Sequence, residues 1–185
     1  CGQYDTVTEV MWVTGAALFI RLADYREVGG LDGHFFAHME EIDLCWRLRS
    51  RGKKLVCIPQ SVVYHVGGAT LKKENPRKTF LNFRNNLLML YKNLPDKELE
   101  HVLFIRGILD RVAALVFYLK KDRANARAVM QARREFEDIR YSFAASRIEN
   151  MMKSTDEIIP ERTHFSIVMK YYLLGKKHFS QLKLF

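Results

Sequence analysis

Short apolar runs separated by glycines and charged residues fill the first 70 positions of the chain. Residues 11–21 form an apolar, partly β-branched run with one internal glycine, Gly15. This pattern predicts a buried strand with a bulge or a close backbone approach at Gly15. Two further runs of this kind, at residues 55–59 and 61–65, predict short strands.

Two helices are predicted between these runs. Residues 23–28 read as a short helix that ends at a pair of glycines. Residues 40–51 carry apolar side chains with arginines between them, and the first turn holds Glu40, Glu41 and Asp43. Strand, helix and strand in this order indicate an α/β unit.

Helical patterns dominate the rest of the chain. They predict helices over residues 79–92, 96–121, 123–153 and 163–174. The change in pattern predicts a boundary at residues 71–75. We therefore expect an α/β part over residues 1–75, followed by a mainly α-helical C-terminal region over residues 76–185.

Composition limits the class of protein. The chain has 185 residues, of which 48% are hydrophobic, and this is enough to build a core. Its apolar runs are far shorter than the about 20 residues that a membrane-spanning helix needs. It begins without methionine and carries no signal-peptide pattern. Cys1, Cys45 and Cys57 lack metal-ligand spacing, and we expect free thiols in a reducing compartment.

Positive charge is concentrated in the helical region. Residues 1–70 contain seven Lys/Arg and eight Asp/Glu, whereas residues 71–185 contain 23 and 13. Basic helices with apolar faces suit docking on an anionic membrane surface, and they equally suit a helical lid or a homodimer interface with solvated cations. Nucleic-acid binding is disfavoured, because no motif for it accompanies the charge.

The three acids at the start of the predicted 40–51 helix are the strongest chemical signal. Carboxylates this close together are costly unless a cation, a hydrogen-bond donor or a reacting group uses them. A simpler explanation is that each complements the helix dipole by about 0.3–1 kcal/mol. Asp43 also has the spacing to pair with Arg47. Neither explanation accounts for the glycine-rich turn at residues 29–32 or the His-x-Gly-Gly at residues 65–68.

Four blocks in a fixed order carry a family resemblance. They are TGAALFIR at residues 14–21, VGGLDGHFF at residues 28–36, EEIDLCWR at residues 40–47 and HVGGAT at residues 65–70. With the arginine–asparagine helix that follows them, they resemble glycosyltransferase family 2, and most of all its bacterial rhamnosyltransferase-like and galactofuranosyltransferase-like branch. The resemblance covers about residues 10–95.

The resemblance implies a GT-A fold and inverting transfer of a sugar from a nucleotide-diphosphate donor to a hydroxyl of a glycan or lipid-linked acceptor. It implies that Glu41 is the base that takes the proton from the attacking hydroxyl, a role suited to a carboxylate. Glutamate stands here where aspartate is commoner in the family. Glu40 and Asp43 are expected to orient the base or hold the acceptor, and Gly15 and Trp46 to support it.

The resemblance also implies a metal site. His65 is expected to complete a site for Mg²⁺ or Mn²⁺ at the donor diphosphate, which the backbone at Gly67 and Gly68 approaches closely. A hydrogen-bonded histidine at a strand end is the alternative for His65. The sequence contains no Asp-x-Asp motif, which supplies the other ligands in the family.

We therefore expect the chain to be the C-terminal, acceptor-binding part of a longer glycosyltransferase, and to be inactive by itself. The expected setting is cell-surface polysaccharide synthesis, in the cytoplasm or at the inner face of the plasma membrane. The alternative is a non-catalytic α/β and helical module for interaction or oligomerisation.

Overall fold

The computed structural model describes residues 5–66, 75–155, 159–163, 165–172 and 174–182. Within them the chain is mostly helical, with one two-stranded sheet. The elements are β1 (Thr8–Glu9), α1 (Leu22–Glu27), α2 (Glu40–Ser50), β2 (Val56–Cys57), α3 (Pro76–Asn93), α4 (Asp96–Leu119), α5 (Arg123–Ile139), α6 (Ala144–Met152) and α7 (Ile167–Tyr172). Short 3-10 turns lie at Gly15–Ala17, Gly33–Phe35, Arg140–Phe143 and Phe179–Leu182.

Most of the predicted helices are confirmed. α1 and α2 agree with the predicted segments to within one residue at each end. α3 begins three residues earlier than predicted, because Asn75 caps it and Pro76 occupies its first turn. The carboxylate of Asp122 accepts a hydrogen bond from the backbone N–H of Asn125 and caps α5, as predicted.

The continuous helix predicted over residues 123–153 is wrong. α5 ends at Ile139 and α6 begins at Ala144, with the 3-10 turn Arg140–Phe143 between them. This tighter turn accompanies the burial of Phe143 in the main apolar cluster. Tertiary packing at Phe143 therefore overrides a helical pattern that continues through the break.

Of the three strands predicted in the first part, the one at residues 55–59 is present as the shorter β2, and those at residues 11–21 and 61–65 are wrong. The sheet consists of two antiparallel residue pairs, Thr8 with Cys57 and Glu9 with Val56. Residues 11–21 contain a 3-10 turn and no strand, and residues 61–65 contain no strand. An apolar run becomes a strand only where a neighbouring strand completes its backbone hydrogen bonds. The backbone pairing of β1 with β2 ends with the hydrogen bond from Val10 N to Leu55 O, just before residues 11–21.

α3 is the centre of the fold, since it contacts α2, α4, α5 and α6. The main apolar cluster joins side chains from both predicted parts, among them Phe35, Trp46, Leu87, Leu88 and Phe136. A smaller cluster is built from Val28, Leu44 and Leu48. The two parts of the chain therefore share one core, and the boundary at residues 71–75 stays a prediction because residues 67–74 lie outside the described ones.

None of the helices in the described part of the chain is both long enough and apolar enough to cross a bilayer.

Candidate active site

The loop that leads into α2 has an unusual backbone. Phe36, His38 and Met39 have φ values of 62°, 69° and 74°, in the left-handed half of conformational space. Such values cost on the order of 1–3 kcal/mol for a non-glycine residue and persist only where the surroundings impose them. They occur here directly before Glu40 and Glu41, the first two residues of α2.

Asn85 of α3 holds this loop from behind. Its side-chain amide donates hydrogen bonds of 2.8 Å each to the carbonyl oxygens of Phe35, Ala37 and His38. The Asn85 side chain is fully buried. Because an unpaired buried carbonyl is costly, these bonds compensate part of the loop's strain and fix where α2 begins.

Arg84 completes this loop support. Its guanidinium donates to Asn85 Oδ1, at 3.0 Å from Nε and 2.9 Å from Nη2, and to the carbonyl of His34 at 2.9 Å. It also pairs with Glu135 of α5 at 2.8 Å. The arginine–asparagine pair that contributed to the family resemblance therefore connects three parts of the fold behind the acids.

Three polar atoms at this end of α2 are buried without a hydrogen-bond partner among the described residues. They are Nε2 of His38, Oε2 of Glu40 and Oε2 of Glu41. Buried polar atoms are nearly always paired, so unpaired atoms in one place point to a group that binds there.

The surroundings of Glu40 raise the pKa of its carboxyl. Burial raises the pKa of Glu40, and the neighbouring charge of Glu41 raises that pKa further, while His38 acts in the opposite direction. Two adjacent acids that share a partly buried site are a common feature of catalytic centres.

Gly15 lies against Glu41. A Cβ atom at Gly15 would be 3.7 Å from Cβ of Glu41 and 4.0 Å from its Cγ. The close approach predicted at Gly15 is therefore present, although it comes from a 3-10 turn and not from a strand. Burial raises the pKa of the nearby Cys45 thiol and the charge of Glu41 raises it further, as expected for neighbours one helical turn apart on α2.

Asp43 belongs to a buried network beneath the two glutamates. Its Oδ2 accepts hydrogen bonds from Arg47, which confirms the predicted pair, and from Nζ of Lys92 at 3.0 Å. Its Oδ1 accepts from Asn93 at 2.7 Å. Arg47 also donates to the carbonyls of Val28 and Gly30. Asp43 has no exposed surface, so its position is that of a support for α2.

Trp46 lies in the main apolar cluster. Its ring is covered by the guanidinium of Arg162, 5.7 Å from the ring centroid. It also lines a cavity of about 360 Å³ together with Asn93 and Pro95, and Glu41 is not among the residues that line this cavity. The structure therefore places Trp46 in the core, and its supporting role stays a prediction.

The predicted metal and diphosphate residues stay untested. His65 is an exposed residue of an irregular segment, and Gly67 and Gly68 lie outside the described residues. Within the described ranges, no group of three His, Cys, Asp or Glu side chains is arranged to hold a metal ion. The assignment of His65 to Mg²⁺ or Mn²⁺ stays a prediction, and no step derived below depends on it.

Sequence patterns did not single out His38, Asn85 or Lys92 as residues of the site. His38 carries only one local signal, its position directly before the acids. Asn85 and Lys92 act on residues about 50 positions away, which helical periodicity in α3 does not reveal. Asn85 and Lys92 share one helical face with Leu81 and Leu88, and polar residues on such an apolar face are the signal that would have found them.

Comparison with curated proteins bears on what this arrangement does. The chain is 31% identical over 141 residues to a pre-mycofactocin glycosyltransferase of Mycobacterium tuberculosis, in a match over 70% of this chain. The matched relatives of this chain are glycosyltransferases. It is 38% identical over 56 residues to an N-acetylglucosaminyl-diphospho-decaprenol L-rhamnosyltransferase of the same organism. It is 36% identical over 61 residues to rhamnosyltransferase WbbL of Escherichia coli.

These matches are partial. The first covers 29% of the pre-mycofactocin glycosyltransferase, and the two rhamnosyltransferase matches cover 30% and 33% of this chain and 18% and 22% of those proteins. No family model matches the chain. No solved structure matches it. The relatives therefore support glycosyl transfer in general, and the activity of the whole protein is a proposal.

Proposed function

We propose that this chain carries the acceptor side of an inverting glycosyltransferase site, which moves a sugar from a nucleotide-diphosphate donor to a hydroxyl of a glycan or lipid-linked acceptor. The observation that carries the proposal is the pair of buried, unpaired carboxylate oxygens of Glu40 and Glu41 behind a strained, clamped loop. The glycosyltransferase relatives give the class of reaction.

In this proposal Glu41 is the general base. A single displacement with inversion needs a group that accepts the proton of the attacking hydroxyl, and an ionised carboxylate with a free oxygen does this. Gly15 leaves room beside the Glu41 side chain, where a larger residue would fill the space. The acceptor hydroxyl would donate its hydrogen bond to the carboxylate of Glu41, whose Oε2 has no partner among the described residues.

Glu40 and His38 supply further hydrogen-bonding positions. Burial and the charge of Glu41 raise the pKa of Glu40, and its Oε2 is a buried hydrogen-bonding atom without a partner among the described residues. His38 presents its buried Nε2 on the same loop. A sugar with several hydroxyls suits such a set, because each hydroxyl both donates and accepts.

The proposal is tested with Glu41→Gln in the complete polypeptide, using nucleotide-activated sugars and a polyprenyl-diphosphate-linked acceptor. An activated rhamnose is the first donor to try, because two relatives are named rhamnosyltransferases. We expect kcat to fall by at least about a hundredfold, since general-base catalysis contributes about 10²–10⁴ in rate. Glu41→Asp should keep part of the activity, because it keeps a carboxylate at this position.

Two controls sharpen the test. Glu137→Gln removes an exposed carboxylate of α5 outside the site and should leave kcat unchanged. Glu40→Gln should cost less than Glu41→Gln, because Glu41 is the proposed base and the amide of glutamine still forms hydrogen bonds at residue 40. Near-normal turnover of Glu41→Gln would disprove the role of Glu41, and absence of transfer by the parent with every donor would favour the non-catalytic module.

A further inference from the structure

α4 carries a row of apolar side chains that the described chain leaves between 50% and 70% exposed. α4 packs against α5 and α3 with its other side. The exposed side chains include Phe104 at 68% and Leu119 at 70% of their full area. The stripe consists of Phe104, Ile108, Val112, Leu115 and Leu119.

The spacing of this stripe is that of a helix-pairing seam. Its members follow one another at intervals of four, four, three and four residues, which keeps them on one side of a helix that packs along a partner helix. From Phe104 to Leu119 the seam is about 22 Å long, at 1.5 Å per residue. Monomeric proteins seldom expose so continuous an apolar surface unless it binds something.

We propose that this stripe pairs α4 with α4 of a second copy of the chain, antiparallel, about a two-fold axis near Val112. In this arrangement Phe104 packs against Leu119 of the second copy, and Ile108 packs against Leu115. A two-fold interface uses the same patch on both subunits, and the stripe is close to symmetric about its midpoint. This pairing is independent of the glycosyl-transfer chemistry.

Charge along α4 favours a second copy over an anionic membrane. The exposed acid Glu100 lies at one end of the stripe. The exposed cations Lys120 and Lys121 follow its other end, and Asp122 and the exposed Arg123, the cap and first residue of α5, come next. Antiparallel pairing brings each acidic end to the basic end of the other copy, whereas parallel pairing opposes like charges. An anionic bilayer would attract the basic end and repel the acidic one.

The one arginine near the midpoint is turned away from the seam. The guanidinium of Arg111 donates to the carbonyl of Gly107 at 2.9 Å. A Cβ atom at Gly107 would be 3.2 Å from Nη1 of Arg111 and 3.4 Å from Nη2 of Arg133 on α5. Arg111 is exposed and, in this register, lies opposite Val112 of the second copy, but its guanidinium bends back over Gly107 towards α5.

Sedimentation equilibrium of the 185-residue chain tests the pairing. We expect a dimer, and Leu115→Glu should raise its dissociation constant by at least about tenfold, since a buried unpaired charge is strongly unfavourable. Met152→Glu is the matched control, because Met152 is 81% exposed on α6 and lies outside the stripe. Circular dichroism of both variants establishes that they fold.

Disulfide cross-linking tests whether the two α4 helices run antiparallel. The variants are made in a chain with Cys1→Ser and Cys57→Ser, and the buried Cys45 is retained. Ile108→Cys and Leu115→Cys should form a disulfide when the two variants are mixed and oxidised, and each should do so poorly alone. Efficient cross-linking of each variant to itself would overturn the antiparallel arrangement. Glu100→Lys should weaken the dimer, and adding Arg123→Glu to it should restore the affinity.

Vesicle flotation distinguishes binding of the stripe to a membrane from its binding to a second copy of the chain. A chain that is monomeric at all concentrations and floats with phosphatidylglycerol vesicles through Leu115 would overturn the proposal. A dimer whose affinity does not change in Leu115→Glu would overturn it as well. A dimer that is lost in Leu115→Glu and kept in Met152→Glu supports it.

Discussion

Gly15 stands against Glu41, with space for one methyl group between them. A Cβ atom at Gly15 would make ordinary van der Waals contact, at 3.7 Å, with Cβ of Glu41. We therefore expect Gly15→Ala to fold with a free energy of unfolding within about 1 kcal/mol of the parent and to keep most activity. Gly15→Leu should reduce kcat, because the longer side chain must displace Glu41. Urea denaturation and initial rates measure the two effects.

The Gly15 variants distinguish two roles of this glycine, the space it leaves beside Glu41 and the backbone freedom it gives the turn. If Gly15→Ala alone abolished activity while the protein remained folded, the backbone freedom of glycine would matter at this position and the space beside Glu41 would not explain it. Equal kcat for Gly15→Leu and the parent would show that Glu41 has no functional contact with this turn.

A second prediction concerns the support that Asn85 gives to the loop before α2. Asn85→Ala removes the three hydrogen bonds to the loop carbonyls. These carbonyl oxygens are then unpaired and face the space that the asparagine side chain had filled. We expect the free energy of unfolding to fall by about 2–3 kcal/mol, measured by urea denaturation. Activity should fall further than stability explains, because the loop that places the two glutamates loses its support.

The neighbouring asparagine provides the control for this experiment. Asn86 makes one weak contact, 4.0 Å from its amide nitrogen to Sδ of Met39. Asn86→Ala should therefore change the free energy of unfolding by about 0.5 kcal/mol or less. A similar loss for both variants would mean that helix α3 loses stability for reasons unrelated to the loop.

A third prediction concerns the stability of the fold at low pH, which depends on the pairing of Lys92 with Asp32. Burial by itself raises the pKa of Asp32, but the ammonium of Lys92, 2.8 Å away, outweighs this and lowers that pKa to about 2 from an ordinary 3.8. A carboxyl whose pKa is lower in the folded state stabilises the fold above its unfolded pKa, and this stabilisation disappears as the acid protonates. The contribution of Asp32 is thus complete above about pH 4 and is lost as the pH falls to about 2.

Lys92→Met is the variant that tests this. At pH 7 it should lower the free energy of unfolding by about 3 kcal/mol, because Asp43 and Asp32 lose a buried cation. The difference in the free energy of unfolding between parent and variant should become smaller as the pH falls from about 4 to about 2, because protonated Asp32 has no charge to pair with Lys92. A difference that stays constant over this range would contradict the proposed pairing.

Local signals in the sequence were enough to predict much of this fold. α2 is predicted closely because acids mark its first turn and a glycine follows its last, and the Asp43–Arg47 pair follows from its spacing of one helical turn. The cap at Asp122 is likewise predicted from a few neighbouring residues, whereas the cap at Asn75 was missed although its signal is local. The structure also brings Gly15 to Glu41, two residues that the family resemblance had placed in one site.

The wrong predictions share a physical cause, which is that the deciding partner lies far away in the sequence. Residues 11–21 have strand composition but no strand alongside them, and Phe143 breaks a helical pattern to enter the core. In the same way, Asn85 and Lys92 act on residues that only the folded chain brings to them. No local pattern contains that information.

If the chain binds an acceptor as proposed, the loop before α2 lets the surface beside the carboxylates vary. All three acceptors of the Asn85 amide are main-chain carbonyls, so this clamp does not depend on which side chains occupy residues 36–38. Those side chains can be exchanged while the first turn of α2 keeps its place. A library limited at Phe36 and His38 to glycine, asparagine and aspartate, which tolerate positive φ, would vary the surface beside the carboxylates without moving them.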